Sequence, residues 1–332
     1  MRELTMVQAL NEAMKEEMRR DPKVYVIGEA VGKYAMGMSR VTSGLEEEFG
    51  PERVRDTGIV ECLIGGSCVG AALAGYRPVA DYMRADFMFP ALDEVLVKAG
   101  LWRHEHGAAE NMSVPLVFRA SIGGYGGGGS EHMRAPNGLF MHAPGLKIVL
   151  PTNPYDAKGL LKTAIRDDNP VVFLEHRLCY PIKGPVPEEE YLIPFGVADI
   201  RREGTDCTIV ATAYQVVQSL QAAEELAKEG ISAEVIDPRT LEPLDIDTIV
   251  ASVRKTGRCV IVDEDYIRCS VASEIGFQIQ EQALDTLKAP IQRVGNPNVS
   301  HVTAPPLVKA ILPNPEKIAD AVRATLRVAT RA

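Results

Sequence analysis

Apolar residues recur every three to four positions over residues 5–19, where Met6, Ala9, Leu10, Ala13, Met14 and Met18 share one face, so the chain opens on an amphipathic helix. The unbroken apolar run at 24–28 predicts a buried strand. Ser43-x-x-Glu46 predicts a capping box at the start of a short helix that stops at Gly50-Pro51. A helix rich in small residues follows Glu61 and ends at Gly75, and a strand follows over 78–82. Further on, the pattern predicts a helix over 92–105, strands at 114–119, 147–150 and 171–174, and a helix over 155–166.

Strands that are apolar throughout and alternate with helices imply a parallel sheet covered on both faces. The rhythm breaks at 177–195, where Pro181, Pro185, Pro187, Pro194 and the acidic Glu188-Glu-Glu190 read as a connecting stretch. It resumes with strands at 208–211, 233–236 and 259–262, helices over 214–229 and 271–285, and a last helix from Pro315. The expected fold class is therefore α/β, with two parallel-sheet α/β domains at 1–180 and 198–332 joined by a linker at 181–197.

Composition narrows the function. The 332 residues are 46% hydrophobic and 24% charged, as in soluble globular proteins, and the net charge of −9 disfavours nucleic acid or an anionic membrane as partner. No apolar run reaches membrane-spanning length, and Met1-Arg-Glu-Leu leads into the first helix without a secretory signal. Six cysteines without a Cys-x-x-Cys pair read as reduced, structural thiols of a cytoplasmic protein.

Glu61 stands alone among apolar neighbours in Thr57-Gly-Ile-Val-Glu61-Cys-Leu-Ile-Gly65. One reading is a lone acid carried into the interior, where burial raises the pKa so that the carboxyl exchanges a proton near neutrality. The other is an acid at a helix N-terminus, favoured by the dipole. Gly124-x-Gly-x-x-Gly129 matches the dinucleotide-binding pattern, yet the next strand ends at Leu150-Pro-Thr without the acid that a ribose needs. A mobile or ligand-hugging loop fits better, although a nicotinamide-binding oxidoreductase using Gly123–Gly129 remains an alternative. His132 follows this loop directly, where parallel sheets bind ligands. His104 and His106, two apart, face different sides of a helix and make a poor metal pair. Phe87, in a stretch of aromatics and methionines after a strand, offers a flat apolar surface.

In this order, Ile27-Gly-Glu-Ala-Val-Gly32, Arg40-Val-Thr-x-Gly-Leu45, Phe49-Gly-Pro-x-Arg53, Asp56-Thr-x-Ile-x-Glu61, Ala74-Gly-x-Arg-Pro78, His142-x-Pro-Gly-Leu-Lys147, Asp237-x-Arg-Thr240 and Asp263-Glu-Asp-Tyr-x-Arg-Cys-Ser270 span nearly the whole chain. Together they resemble the β subunit of the thiamine-diphosphate-dependent, decarboxylating component of 2-oxoacid dehydrogenase complexes of the pyruvate, branched-chain or acetoin type. The resemblance implies a transketolase-like fold, a pyrimidine-binding domain followed by a transketolase C-terminal domain, and oxidative decarboxylation with acyl transfer to lipoyl. It implies that Glu61 holds a proton against N1′ of the aminopyrimidine, that Met83 and Phe87 contact that ring, and that His132 stabilises charge on the substrate or assists the transfer. It also implies a structural potassium ion (K+) at Leu116, Ala164, Asp167 and Asn169.

Gly-Asp-Gly, the start of the diphosphate–magnesium motif of this cofactor class, is absent. The magnesium ion (Mg2+) and the diphosphate are therefore expected on an α subunit, in an α2β2 heterotetramer with a β–β dimer and a docked dihydrolipoyl acyltransferase core. Met133-Arg134 after His132, Ala30 after Glu29, and Asn298-Val-Ser-His-Val-Thr303 depart from the usual pattern. They leave a non-catalytic scaffold subunit as a further alternative, with Arg134 expected to bring a charge to the mouth of the site.

Overall fold

The computed structural model describes residues 2–33, 40–107 and 112–327. Along the chain the elements are β1 (Arg2–Thr5), α1 (Met6–Arg20), β2 (Val24–Glu29), α2 (Leu45–Phe49), β3 (Val54–Thr57), α3 (Glu61–Leu73), β4 (Arg77–Arg84), α4 (Trp102–Glu105), β5 (Val117–Ile122), α5 (Asn137–Phe140), β6 (Lys147–Val149), α6 (Pro154–Arg166) and β7 (Val171–His176). Then come β8 (Lys183–Val186), β9 (Asp199–Arg202), β10 (Cys207–Ala211), α7 (Tyr214–Lys228), β11 (Ala233–Asp237), β12 (Thr240–Glu242), α8 (Ile246–Thr256), β13 (Cys259–Tyr266), α9 (Val271–Ala283), β14 (Gln292–Asn296), α10 (Pro305–Ile311) and α11 (Pro315–Arg327). They form two compact units, Met1–Ile122 with Phe140–Phe195, and Gly123–Leu139 with Gly196–Ala332.

In the first unit β3, β2, β4, β5, β7 and β6 lie side by side, all parallel. The chain runs from β2 outward to β3, then crosses back over β2 to β4 and continues away from it. The topological switch point, where open α/β sheets bind ligands, thus falls between the carboxyl ends of β2 and β4. The apolar face of α1 is buried and packs against α6. The buried ammonium groups of Lys158 and Lys162 reach the carboxylates of Glu12 and Glu16 across that seam. β8, inside the proline-rich stretch, pairs antiparallel with β1.

The second unit has the order β14-β13-β10-β11-β9, with β9 antiparallel at one edge and the other four parallel. Its core joins Ile209, Val235 and Val260 of the sheet to Ala222 and Leu226 of α7 and to Ile318 and Val322 of α11.

Two local expectations are corrected. The capping box lies at Thr5 and Gln8, which bond reciprocally at the start of α1, and not at Ser43. Gly44 instead takes a left-handed turn before α2, while Asn11 of α1 holds the carbonyls of Val41 and Ser43. The single helix expected over 92–105 is broken into a 3-10 helix (Ala85–Ala91), a π-helical stretch (Asp93–Ala99) and α4. Pro90, without an amide hydrogen, sits inside the first of these and interrupts regular α-helical bonding.

Candidate active site

At the switch point the ends of three parallel strands bring polar groups together. Glu29 closes β2, Thr57 closes β3 in register with it, and Gly28 registers with Asp81 of β4. Among the described residues, Glu29 Oε1 and Thr57 Oγ1 are buried without a hydrogen-bond partner. Buried polar atoms are almost always paired, so two orphans at one strand edge mark a place that a polar ligand completes. Burial raises the Glu29 pKa, and the nearby Glu61 charge raises it further.

The β4 edge is held from behind. Met83 adopts φ +62°, a left-handed conformation that costs a non-glycine residue about 1–2 kcal/mol. Its amide donates to Asp81 Oδ1 at 2.9 Å, and its carbonyl accepts from Ser121 Oγ at 2.6 Å. The other Asp81 oxygen accepts from buried Arg119, whose guanidinium also bonds both oxygens of Glu175, with Nη2 to Oε2 at 2.7 Å. Tyr180 donates its hydroxyl to the same Glu175 oxygen at 2.8 Å. This chain of charges fixes the turn that leads the backbone from β4 into the 3-10 helix bearing half-buried Phe87.

Glu61 is not interior. It is the first residue of α3, half-buried, and its own carbonyl accepts from Tyr82 Oη at 3.4 Å. Its apolar neighbours face outward: Ile59 is 80% exposed and Leu63 57%, with Val60, Leu73 and Tyr76 exposed as well. The reason lies in the helix itself, which is apolar on all sides and can turn only one side, Ile64, Cys68, Val69 and Ala72, to its own core. α3 packs against β4 and against both the 3-10 and π-helical stretches, which brings the elements bearing Glu61, Met83 and Phe87 together.

A raised folded-state pKa means that the stability linked to Glu29 is present at low pH and is lost as pH rises through that pKa. Glu29→Gln removes that loss. Without ligand, the variant should melt higher than the parent at pH 8, and the difference should vanish below about pH 4, where free glutamate is protonated. Thermal melts at the two pH values check this; a difference that grows on acidification would contradict it.

His132 belongs to the second unit and is exposed, between Gly129 and buried Met133. In the glycine loop, expected to be mobile or ligand-hugging, two glycines admit the chain's own 301–303 stretch. A Cβ at Gly127 would lie 2.7 Å from the Thr303 carbonyl oxygen, and one at Gly124 2.9 Å from His301 Nδ1. No dinucleotide-binding helix follows it, only turns and the four-residue α5. Arg134 turns back, its Nε donating to the Ser130 carbonyl at 2.9 Å.

Leu116, Ala164, Asp167 and Asn169 belong to the first unit, Ala164 and Asp167 at the carboxyl end of α6 and Leu116 bonded to the start of β7. The Leu116 carbonyl accepts from the Val171 amide, and Arg77 Nη1 donates to the Asp167 carbonyl at 2.9 Å. Lys147 pairs with the Asp167 carboxylate, and Arg103 Nη1 donates to Asn169 Oδ1 at 2.8 Å. Three protein cations already meet this donor set, so its side-chain oxygens present no orphan for an ion. His106 stacks on Trp102, and His176 Nδ1 accepts from the Leu178 amide. Among the described residues no group of three His, Cys, Asp or Glu side chains is arranged to hold a metal. Among the described residues no cysteine forms a disulfide, and Cys62 and Cys269 are exposed.

Sequence reasoning missed Asp81, Ser121, Arg119 and Glu175 as site residues, and saw Glu29 and Thr57 only as parts of motifs. A carboxylate at the end of a buried strand was the available signal for Glu29 and Asp81. Nothing local marks Arg119 and Glu175, which meet across 56 residues.

Residues 2–183 match the transketolase pyrimidine-binding domain and residues 196–318 the transketolase C-terminal domain. The chain is 44% identical over 322 residues to the 2-oxoisovalerate dehydrogenase subunit beta of Bacillus subtilis, covering 96% of this chain and 98% of that one. It is 43% identical over 328 residues to the beta subunit of acetoin:2,6-dichlorophenolindophenol oxidoreductase from the same organism, covering 96% and 95%. To the pyruvate dehydrogenase E1 component subunit beta of that organism it is 44% identical over 299 residues, covering 90% and 91%. A solved split-gene transketolase, an inactive beta4 tetramer, superposes with a TM-score of 0.78 at 22% identity over 99% of both chains, a likeness of fold. With both transketolase domains in order and relatives of this closeness over nearly its whole length, the chain belongs to the family of β subunits of thiamine-diphosphate-dependent 2-oxoacid dehydrogenase decarboxylating components.

Proposed function

We propose that this chain is the β subunit of a two-chain enzyme that oxidatively decarboxylates a 2-oxoacid and passes the acyl group to lipoyl, with pyruvate or acetoin chemistry favoured. The observation that carries this reading is the pair of orphaned polar atoms on Glu29 and Thr57 at the switch point, beside the elements that bear Glu61 and Phe87. Thiamine diphosphate, when bound, supplies a carbon nucleophile and an electron sink. The chain's own residues hold and orient it. Glu61 keeps a proton on N1′ of the aminopyrimidine, Phe87 stacks on that ring, the Met83 turn borders it, and His132 stabilises charge at the reacting centre.

In this reading residues 1–180 act as the pyrimidine-binding domain and 198–332 as the C-terminal domain, joined by 181–197. An α subunit covers the exposed apolar side chains of Ile59, Val60, Leu63 and Leu73, and holds Mg2+ and the diphosphate. The second domain dimerises the β chains and docks the acyltransferase core, in the cytoplasm. For K+, the negative end of α6 and the second lone pairs of the Leu116, Ala164 and Asp167 carbonyls are the available donors, with Asn169 shared with Arg103.

The scaffold alternative has less support, because Met133 is buried under Gly128 and Arg134 bonds back to Ser130, both local packing. Co-expression with an α chain carrying Gly-Asp-Gly tests the proposal. Dye reduction driven by a 2-oxoacid or acetoin should require both chains. Failure of the pair on every substrate of such a panel would favour the scaffold, and turnover by the β chain alone would overturn the shared site.

A further inference from the structure

The segment Gly123–Leu139, which carries His132, is tied to the second unit near both ends by one short run of β13. Near its start, the Gly124 amide donates to Glu264 Oε1, while Glu264 Oε2 accepts from Gln215 Nε2 at 3.1 Å. At its end, Asn137 Nδ2 donates to Asp263 Oδ1 at 2.9 Å, an oxygen that also accepts from Thr212 Oγ1 at 2.8 Å. The Gly138 amide donates to Asp265 Oδ2 at 3.1 Å. Asp263 and Glu264 are 1% and 2% exposed, so these bonds do not compete with bulk water. His132 lies between the tied ends and is exposed.

We propose that Asp263, Glu264 and Asp265 are positioning residues for His132: they fix both ends of the segment that presents the imidazole and touch no reacting atom themselves. The inference rests on the role proposed for His132 at the reacting centre. Three carboxyls in consecutive positions, with the first two fully buried, are costly for a fold to keep. They are not a metal centre, since no such cluster with metal-binding geometry occurs among the described residues. What they do share is the segment: each takes a donor from it, at separations of 126–140 residues. Carboxyl groups suit this task because each offers two oxygens that can accept the backbone and side-chain donors the segment presents.

Two of the three, Asp263 and Asp265, have raised pKa values. Burial lifts Asp263 to about 6, against the hydrogen bonds from Thr212 and Asn137 that favour its charged form. Burial, then the charge on Asp263, lifts Asp265 to about 7. The groups that face the trio from other elements are Thr212, between β10 and α7, Gln215 in the first turn of α7, and Tyr125 of the glycine-rich segment, whose phenol is raised by burial and by the Glu264 charge; His301, bonded to Asn296, rests edge-on against the neighbouring Tyr266. Because both aspartates have raised folded-state pKa values, the stability they contribute is present at low pH and is lost as pH rises through 6–7. Ionisation of both aspartates sets their charges against each other, and this repulsion, not a loss of the accepted hydrogen bonds, strains the segment's ties on the alkaline side.

The test uses the assembled α and β chains. Asp265→Ala should lower kcat about 10–100-fold, the scale of a misplaced catalytic group, with KM within about twofold. Hydrogen exchange at residues 137–139 should quicken in the same variant. Asp265→Asn keeps an acceptor for Gly138, so it should retain kcat within about threefold while the alkaline fall in kcat moves up by about one pH unit or disappears. Placed on His132→Ala, Asp265→Ala should add no further loss, because residues acting through one another are not additive. An equal loss in that background, or parental kcat in Asp265→Ala, overturns the proposal. Unchanged exchange at 137–139 overturns the tie itself, whatever His132 does. Parental turnover in His132→Ala alone overturns the reading beneath it, and is seen separately. Should Asp265→Ala fail to assemble, Asn137→Ala removes one tie only and carries the same expectations.

Discussion

Glu61→Gln in the assembled two-chain protein is expected to cut turnover about 10²–10⁴-fold, the contribution of a positioned proton donor or acceptor. The amide has the shape of the carboxyl but cannot hand a proton to a ring nitrogen and take it back. Folding should be almost untouched. Glu61 is half-buried at the first position of α3, and Tyr82 bonds its backbone carbonyl, which the substitution leaves in place. Loss of the negative charge from the helix N-terminus should cost no more than about 1 kcal/mol. Steady-state rates and a thermal melt on the same preparation check both halves. Turnover at the parental level would remove Glu61 from the chemistry, and a large fall in melting temperature would make it structural.

The largest effect on stability is expected at Arg119. Its guanidinium lies between Asp81 and Glu175 with a side-chain exposure of 4%, and the two carboxylates have exposures of 8% and 0%. Burial by itself drives the Glu175 pKa upward, and the pairing with Arg119 only partly opposes it. Arg119→Met fills the space but leaves two carboxylates together in the interior, a change that costs roughly 3–5 kcal/mol. For a unit of this size that is a fall in melting temperature of roughly 10 °C. The sign of the pH dependence is fixed. With the cation gone the Glu175 pKa rises further, so the deficit should be smaller at pH 5 than at pH 8. Chemical denaturation at the two pH values measures it; a deficit below about 1 kcal/mol at pH 8 would show the network to be dispensable. Because Asp81 also holds the Met83 amide, cofactor affinity should fall in the same variant.

The two residues show how differently a sequence exposes its features. Glu61 was legible because a single acid in an apolar run is a local anomaly, and the motif around it is contiguous. Of its two readings the helix N-terminus held and the interior did not, since an apolar helix without a polar side does not say which side its own core will take. Arg119 gave no such signal. It sits in a strand that reads simply as buried, and its partners come from β4 and the end of β7. The glycine run was visible too, but its purpose was not: the backbone it leaves bare is covered by Thr303 and His301.

By itself the sequence determined the alternation of strand and helix, the two α/β units, the family, and Glu61, Phe87 and His132 as candidates. Those features follow from residue spacing and from short motifs, which local backbone sterics and side-chain periodicity govern. Only the tertiary structure decided that the outer face of α3 is bare, that Met83 is held in a left-handed turn by an Asp–Arg–Glu chain, and that the segment bearing His132 is tied by carboxylates more than a hundred residues away. Such contacts depend on which faces the whole chain can bury at once, and no local pattern encodes that choice.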